Sequence, residues 1–214
     1  GVRIAPDGFS SYMLASESCA LNSNGFELVR DVLPGEAIII NLNGELSSQI
    51  CHANPSLNLC IFEYVYLARP DSIMENISIQ TARRQMGKYL AKTIQQDYPE
   101  LEIAVPDLAR AVAIATADAL NKPYREGFVK NHLISNDDYT QSTAESKTAS
   151  LGNLNPINLE FKDKNVLLID ISIVRGNNSR EIISMVRAAG AKKIYFASAA
   201  PKIQHSSVYG VDMP

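Results

Sequence analysis

The sequence is poor in the features that mark membrane, secreted and nucleic-acid-binding proteins. It has no tryptophan, and its three cysteines, Cys19, Cys51 and Cys60, do not have the spacing of a metal site. An odd number of cysteines without a secretory signal indicates reduced thiols and therefore a cytoplasmic protein. No apolar run approaches the ~20 residues of a membrane helix. The formal net charge of −3 gives no general electrostatic case for nucleic acid, so we expect neither a membrane nor a nucleic-acid partner.

The first 60 residues predict short strands and turns. Glu36–Ile40 follows the turn Pro34-Gly35, and Asn43-Gly44 between two apolar segments is typical of a β-hairpin. A piece of this size is too small to hold a core of its own. We therefore expect residues 1–60 to be the end of a larger β-rich domain, and residues 61–214 to form a second domain.

From about residue 80 the pattern alternates between helices and strands. In chain order we expect a helix over 81–96, a strand over 102–106, a helix capped by Asp107, a strand over 123–131, a strand over Asn165–Asp170, a helix over 178–189 closed by Gly190 and a strand over 193–197. The second helix should bury Val112, Ala115 and Ala119 and end near Asn121. Residues 132–155 are polar and predict a long loop. Strands that alternate with helices favour a parallel sheet covered on both faces.

Residues 166–179, VLLIDISIVRGNNS, are the most informative stretch. An apolar strand ends in Asp170, a short loop follows, and a helix opens; ligands of parallel sheets bind at the carboxyl ends of the strands. Gly176 allows the backbone to approach a ligand closely, and the amides of residues 177–179 would lie at a helix N-terminus that favours phosphate. Asp170 could hold a ribose hydroxyl or Mg²⁺. The alternative is a βα turn with an N-cap cluster and no ligand.

This segment resembles the phosphoribosylpyrophosphate (PRPP) motif of type I phosphoribosyltransferases, which reads VLLVDDSIVRGTTS in the glutamine PRPP amidotransferase family. Further segments resemble that family in the same order: residues 60–72 (CIFEYVYLARPDS), 123–131 (PYREGFVKN), 189–201 (AGAKKIYFASAAP) and 209–213 (YGVDM). Residues 12–18 (YMLASES) and 30–37 (RDVLPGEA) resemble the last strands of its glutaminase domain. The likeness covers essentially the whole chain.

The resemblance implies a type I phosphoribosyltransferase fold for residues 61–214, preceded in 1–60 by the terminal strands of an Ntn-type glutaminase domain. The family transfers ammonia, released from glutamine, to the C1 carbon of PRPP. Pyrophosphate leaves, and the product is 5-phosphoribosylamine, the entry compound of purine nucleotide biosynthesis. The nucleophile of the family's glutaminase is an N-terminal cysteine that this chain lacks, so we expect no glutaminase activity. The implied partners are PRPP or another phosphorylated small molecule, an upstream glutaminase domain and further copies in a homo-oligomer.

The resemblance also assigns the residues of the site. Asp107, Arg110 and Lys130 are the implied catalytic residues, the first two at the pyrophosphate loop and the third at the start of a closing loop. The implied PRPP-binding residues are Asp170, Ser172, Arg175, Gly176, Asn177, Asn178 and Ser179. Asp170 is also the implied Mg²⁺ ligand. The alternative for Asp107 is a plain helix cap.

This chain departs from the family pattern at several of these positions. Ile171 replaces the second acid of the motif; each lost charge-assisted hydrogen bond costs ~1.5–3 kcal/mol, so PRPP and magnesium binding should be weakened. Asn177 and Asn178 replace two threonines. The loop after Lys130 is acidic where the family is rich in arginine, which disfavours a pyrophosphate leaving group. We therefore expect weak or absent transferase activity; the alternative is a non-catalytic PRPP- or nucleotide-binding regulator, or a structural relative.

Some members of the family hold an iron–sulfur cluster, and Cys60 occupies the position of one ligand. Serine replaces cysteine at the later position, within residues 205–209, and one soft ligand is not a cluster site, so no cluster is expected. Cys60 is instead predicted to be a buried thiol. His52, His132 and His205 have no recurring partner group and are expected to be structural or solvated.

Overall fold

The computed structural model describes residues 1–6, 8–94, 101–104, 109–130, 154–173 and 176–201. Its contacts divide the chain into two compact units, Gly1–Ala82 and Arg83–Pro214. The domain limits expected from the sequence, 1–60 and 61–214, remain a prediction. In the described part of the chain, no helix is long and apolar enough to cross a membrane.

The first unit consists of short elements joined by turns. They are the antiparallel pair β1 (Val2–Ile4) and β2 (Ser10–Tyr12), helix α1 (Ser18–Ser23), the antiparallel pair β3 (Glu36–Ile40) and β4 (Leu46–Ile50), a π-helix (Glu63–Leu67), and the hairpin of β5 (Ile73–Met74) and β6 (Ile77–Ser78). The predicted hairpin around Asn43-Gly44 is confirmed, since Ile40 pairs with Leu46. Gly44 adopts a positive φ of 78°, the conformation that favours glycine in such a turn.

Polar bonds join the start of α1 to the segment before β5. The carboxylate of Glu17 accepts hydrogen bonds from the backbone N–H of Arg69 (2.8 Å) and from the hydroxyl of Ser72 (2.7 Å). The hydroxyl oxygen of Ser18 accepts one from the backbone N–H of Ile73 (2.7 Å). These partners are 52 and 55 residues apart in the chain, so no local pattern of the sequence predicts α1.

Within the described residues, the second unit is built on a sheet of four strands, which are parallel as predicted. Its strands are β7 (Leu101–Ala104), β8 (Tyr124–Arg125), β11 (Asn165–Asp170) and β12 (Lys193–Ser198), in the spatial order β12-β11-β7-β8. Leu168 pairs with Phe196 on one side and with Ile103 on the other. Val166, Leu167, Leu168 and Ile169 are all buried; because successive side chains point to opposite faces, both faces of β11 are covered.

The single strand predicted over 123–131 is wrong, because the chain changes its pairing partner at Glu126-Gly127. β8 pairs with β7 in the parallel sheet, whereas β9 (Phe128–Lys130) pairs antiparallel with β10 (Leu154–Pro156). The predicted loop over 132–155 therefore ends earlier, since Leu154 pairs with Lys130. The rest of that loop, residues 132–153, lies outside the described residues.

Helices α2 (Ile79–Thr93) and α3 (Arg110–Leu120) cross at Gly87. A Cβ atom on Gly87 would overlap the carbonyl oxygen of Val112 and lie 2.9 Å from the Cβ of Ala115. The buried hydroxyl of Thr116 donates to the carbonyl oxygens of Gly87 (3.1 Å) and Val112 (2.9 Å). The two backbones therefore approach so closely that glycine is required at the crossing.

Two details of α3 differ from the sequence predictions. Val112 and Ala115 are buried as expected, but Ala119, in the last turn of the helix, is exposed. The N-cap position of α3 is Ala109, without a side-chain hydrogen bond, rather than Asp107, which lies outside the described residues. The predicted end near Asn121 is confirmed; Asn121 adopts the left-handed conformation with φ of 52°.

The core of the second unit lies between β11 and the helices that follow β10 and β11. These helices are α4 (Asn158–Phe161), which the sequence pattern does not predict, and α5 (Asn177–Ala188). Phe161 is fully buried and contacts the ring of Phe128 at 5.2 Å between centroids. Ile182 and Val186 of α5 complete the cluster with residues of β11.

Candidate active site

The carboxyl ends of the parallel strands define one edge of the sheet, and most of the predicted site residues that the structure describes follow these ends. Asp170 ends β11, and Gly176 and Asn177 open α5 just after it. Arg110 opens α3, the helix that follows β7. In open α/β sheets, ligands bind at this edge. The topology therefore brings Arg110 at the start of α3, Asp170 at the end of β11 and Gly176 at the start of α5 to the same edge.

Asp170 presents a carboxylate in an environment that disfavours its charged form. Burial raises the pKa of Asp170, and the one opposing influence is the backbone N–H of Ile171, which donates to Oδ1 at 2.7 Å. A carboxylate of raised pKa at a strand end is suited to accept a hydroxyl hydrogen bond or a cation that compensates its burial.

The turn after Asp170 exposes backbone rather than a capping side chain. Gly176 is the N-cap residue of α5 with φ of 77°, and no side chain caps the helix. Asn177 and Asn178 are exposed and Ser179 is half-buried. The alternative interpretation of this segment is a βα turn in which a cluster of side chains caps the helix. No such cap forms at Gly176. Arg175 lies outside the described residues.

Ile171, which replaces the second acid of the motif, is 2% exposed. Its carbonyl oxygen accepts the N–H of Ala200 at 2.8 Å, which fixes its backbone beside the end of β12. The side chain thus packs inside the protein, so not every departure from the family pattern faces a ligand. Ser172, the next motif residue, is half-buried.

Arg110 is paired with an acid that the sequence analysis did not single out. Its Nε lies 2.9 Å from Oε1 of Glu126, and the Tyr124 hydroxyl donates to the same oxygen at 3.3 Å. Burial raises the pKa of Tyr124, and the charge of Glu126 raises it further, while the hydrogen bond with Arg110 opposes the shift. The signal that could have found Glu126 is its place one residue after β8, at the carboxyl edge.

The remaining predicted catalytic residues are not brought to a common point in the described structure. Lys130 ends β9 with an exposed side chain, in the antiparallel ribbon with β10. Asp107 lies outside the described residues. Their roles remain predictions.

The described residues contain no group of three or more His, Cys, Asp or Glu side chains that could hold a metal ion. Asp170 therefore has no such group around it within the described ranges. The prediction that Cys60 is a buried thiol is wrong, because the residue, three positions before the π-helix, is only half-buried. Cys19 is buried and Cys51 is exposed.

Comparison with known proteins finds close relatives over nearly the whole chain. The sequence is 50% identical over 213 residues to an amidophosphoribosyltransferase of Pasteurella multocida, which covers 97% of this chain. It is 46% identical to the amidophosphoribosyltransferases of Escherichia coli and Saccharomyces cerevisiae, over 100% of the chain in each case. The chain spans 42–43% of the length of these relatives. No protein-family model matches it.

Solved structures give the same answer for the fold. One described as the allosteric regulatory enzyme of purine biosynthesis matches 92% of this chain with a TM-score of 0.82 and 34% identity. The glutamine PRPP amidotransferase of B. subtilis, complexed with ADP and GMP, matches 92% with a TM-score of 0.81 and 34% identity. The chain covers 42% and 43% of these two structures. The predicted phosphoribosyltransferase-type α/β fold is confirmed.

Proposed function

The chain belongs to the amidophosphoribosyltransferase family over the part of those proteins that it spans, and on this premise we propose that it supplies the phosphoribosyltransferase part of such an enzyme in purine nucleotide biosynthesis. The observation that carries the proposal is the turn between Asp170 and α5. There β11 ends in Asp170, a half-buried carboxyl group whose pKa is raised by burial, and the glycine-led N-terminus of α5 follows.

Each part of this turn suits one group of PRPP. The backbone amides after Gly176 would bind the 5-phosphate, because a helix N-terminus favours anions and its amides do not depend on side-chain identity. Asp170 would accept a ribose hydroxyl and, through Mg²⁺, would contact the pyrophosphate group. Asn177 and Asn178 are exposed and would donate through their amide groups where the family has threonine.

We propose that the transfer of ammonia to PRPP by this chain is weak or absent. Ile171 places a buried apolar side chain at the position of the second carboxylate, so Asp170 is left to bind magnesium without that partner. This arrangement supports as a second candidate a non-catalytic relative that binds PRPP or a nucleotide. The two candidates differ in turnover, whereas both require the turn at Gly176.

We further propose that residues 1–60 are the terminal strands of an Ntn-type glutaminase domain. Support comes from the first unit, where large apolar side chains such as Ile39, Leu42 and Leu57 are exposed. A larger domain would bury such side chains. We propose that these strands do not hydrolyse glutamine by themselves, and measurable release of glutamate from glutamine would contradict this.

Calorimetric titration of the 214-residue chain with PRPP, with and without Mg²⁺, tests the proposed site. We expect PRPP to bind little more tightly than inorganic phosphate and with weak magnesium dependence, because phosphate binding uses backbone amides while ribose and magnesium binding need carboxylates. Replacement of Asn177 and Asn178 by threonine should strengthen PRPP binding. If the unchanged chain binds PRPP tightly and requires Mg²⁺, Ile171 is not the defect proposed here.

A pair of glycine variants provides the matched control. Gly176 and Gly190 both have a positive φ, 77° and 92°, and they flank the two ends of α5. Gly176→Val and Gly190→Val should both destabilise the fold, but Gly176→Val should weaken phosphate binding and Gly190→Val should not. Equal loss of phosphate binding in the two variants would show that the turn at Gly176 is not the site.

Turnover is measured as ammonia-dependent formation of phosphoribosylamine. We expect a rate more than roughly a hundredfold below that of an intact family enzyme, equivalent to ~2.7 kcal/mol in the barrier. A faster rate would contradict the proposed loss of activity and would favour the enzyme over the binding-only candidate.

A further inference from the structure

The ion pair between Arg110 and Glu126 joins two segments at the carboxyl edge of the sheet. Arg110 is the first residue of α3, which follows β7, and Glu126 comes directly after β8. β7 and β8 are neighbours in parallel register, so the two side chains approach from adjacent strand ends. The contact is 2.9 Å between Nε and Oε1.

This ion pair is open to solvent and is shared with a third group. The side chains of Arg110 and Glu126 are 50% and 54% exposed, and the Tyr124 hydroxyl donates to the same carboxylate oxygen. An exposed ion pair contributes little free energy, because water and salt screen the charges. A multiply charged anion that reaches the guanidinium can therefore replace the carboxylate of Glu126.

We infer that Glu126 is a specificity-determining residue, whose carboxylate pairs with Arg110 until a pyrophosphate group displaces it. This inference rests on the proposed function and on the pyrophosphate role that the family resemblance implies for Arg110. Competition with an internal carboxylate selects against singly charged anions, since these gain no more from Arg110 than Glu126 does. Pyrophosphate carries more charge and can form two parallel hydrogen bonds with the guanidinium.

The test is a double-mutant cycle read by titration with inorganic pyrophosphate at fixed ionic strength. Glu126→Gln should lower the Kd for pyrophosphate about two- to fivefold, because it removes the competing charge of an exposed pair. Arg110→Ala should raise the Kd. In the Arg110→Ala background, Glu126→Gln should have no effect, since the cation for which it competes is gone.

The matched control is Asp71→Asn. Asp71 pairs with Arg69 at 2.9 Å, and both side chains are exposed, so the variant removes the same charge from a similar pair in the first unit. It should leave pyrophosphate binding unchanged. An equal gain in affinity for pyrophosphate would mean that the change in net charge, rather than the release of Arg110, explains the effect of Glu126→Gln. Unfolding curves of every variant show whether the fold is retained.

The outcomes separate this inference from the proposed function. If Arg110→Ala weakens pyrophosphate binding but Glu126→Gln leaves it unchanged or weakens it, the inference is wrong and the proposed function stands. If Arg110→Ala has no effect while Gly176→Val abolishes phosphate binding, Arg110 has no role at the site and the inference again fails. If the unchanged chain binds neither PRPP nor pyrophosphate, both fail.

Discussion

In the first unit, large apolar side chains such as Phe9, Ile39 and Leu42 are 57%, 56% and 106% exposed, whereas in the second unit Phe161 and Leu168 are completely buried. Both units contain large apolar residues, but they bury them to different extents. The second unit buries its apolar side chains in a core of its own. The first unit leaves many on its surface, which is typical of a region that needs a further partner surface.

The difference follows from how many strands pair in each unit. β3 and β4 form an isolated two-stranded ribbon, and such a ribbon is marginally stable in water because neither face is covered by a second layer. In the second unit, β11 pairs with a parallel strand on each side, and the buried side chains of residues 166–169 show that both of its faces are covered. A stable core therefore requires packed layers of secondary structure, and the pairing of strands alone is not enough.

The largest expected effect is on the core of the second unit. Phe161→Ala should lower the free energy of unfolding by about 3–5 kcal/mol, because it removes a completely buried ring and leaves a cavity beside Phe128. Leu159→Ala, two residues away on α4 and 80% exposed, is the control and should cost less than about 0.5 kcal/mol. Urea unfolding measures both. Ile39→Ala in the first unit should also have a small effect; a loss as large as that of Phe161→Ala would erase the contrast between the units.

The next effect concerns the crossing of α2 and α3. Gly87→Ala should destabilise the protein by about 1–3 kcal/mol, because the new Cβ would overlap the carbonyl oxygen of Val112, and backbone cannot move aside cheaply. Lys88→Ala, the next residue and exposed, is the matched control. Neutral or increased stability of Gly87→Ala would mean that the helices can separate without loss.

The sequence predicts the second unit better than the first for a physical reason. In Asn165–Asp170, four apolar residues stand between an asparagine and an acid, and the structure forms a strand with these bounds. Its signal is local, because these four residues are apolar and buried on both faces of the strand. α1 gives no such signal, since its position depends on Glu17 and Ser18, whose partners are more than fifty residues away.

The same distinction between local and tertiary signals applies to the candidate site, which could be predicted only in part. The strand-turn-helix segment around Asp170 and Gly176 could be found because its residue types and spacing are local. The pairing of Arg110 with Glu126 could not, because it depends on β7 and β8 being neighbours. The burial of Ile171 also depends on tertiary packing, at the end of β12.

An effect of similar size to that of Gly87→Ala is expected where polar bonds, rather than a core, stabilise the first unit. Glu17→Ala should cost about 1–3 kcal/mol, because it leaves the N–H of Arg69 and the buried hydroxyl of Ser72 without their acceptor. Glu27→Ala is the control, since Glu27 is exposed and its described hydrogen bonds are made by the backbone. Thermal unfolding of the two variants provides the comparison. Equal stability of the two variants would show that the Glu17 bonds do not stabilise this unit.

The smallest effects should appear in the dependence of stability on pH, and they should have opposite signs in the two units. In the first unit, the guanidinium of Arg30 and then the backbone N–H of Leu33 lower the pKa of Glu36 to about 2. Because this pKa lies below its value in the unfolded chain, the stabilisation is complete above about pH 4.5 and is lost as the pH falls towards 2. Glu36→Gln should therefore reduce the loss of stability in acid, as measured by unfolding between pH 7 and 2.

In the second unit, burial raises the pKa of Asp170, so its contribution is present below the unfolded pKa and is lost as the pH rises through the folded pKa. Asp170→Asn keeps an oxygen that can accept the N–H of Ile171 but removes the charge. The variant should be more stable than the unchanged chain at pH 7, and this advantage should disappear in acid, where the carboxyl is protonated. The same variant should bind PRPP more weakly in the presence of Mg²⁺, because the proposed site uses the charge that destabilises the fold. Lower stability of Asp170→Asn at pH 7 would mean that the carboxylate is stabilised by its surroundings. The pH dependence of stability would then not have opposite signs in the two units.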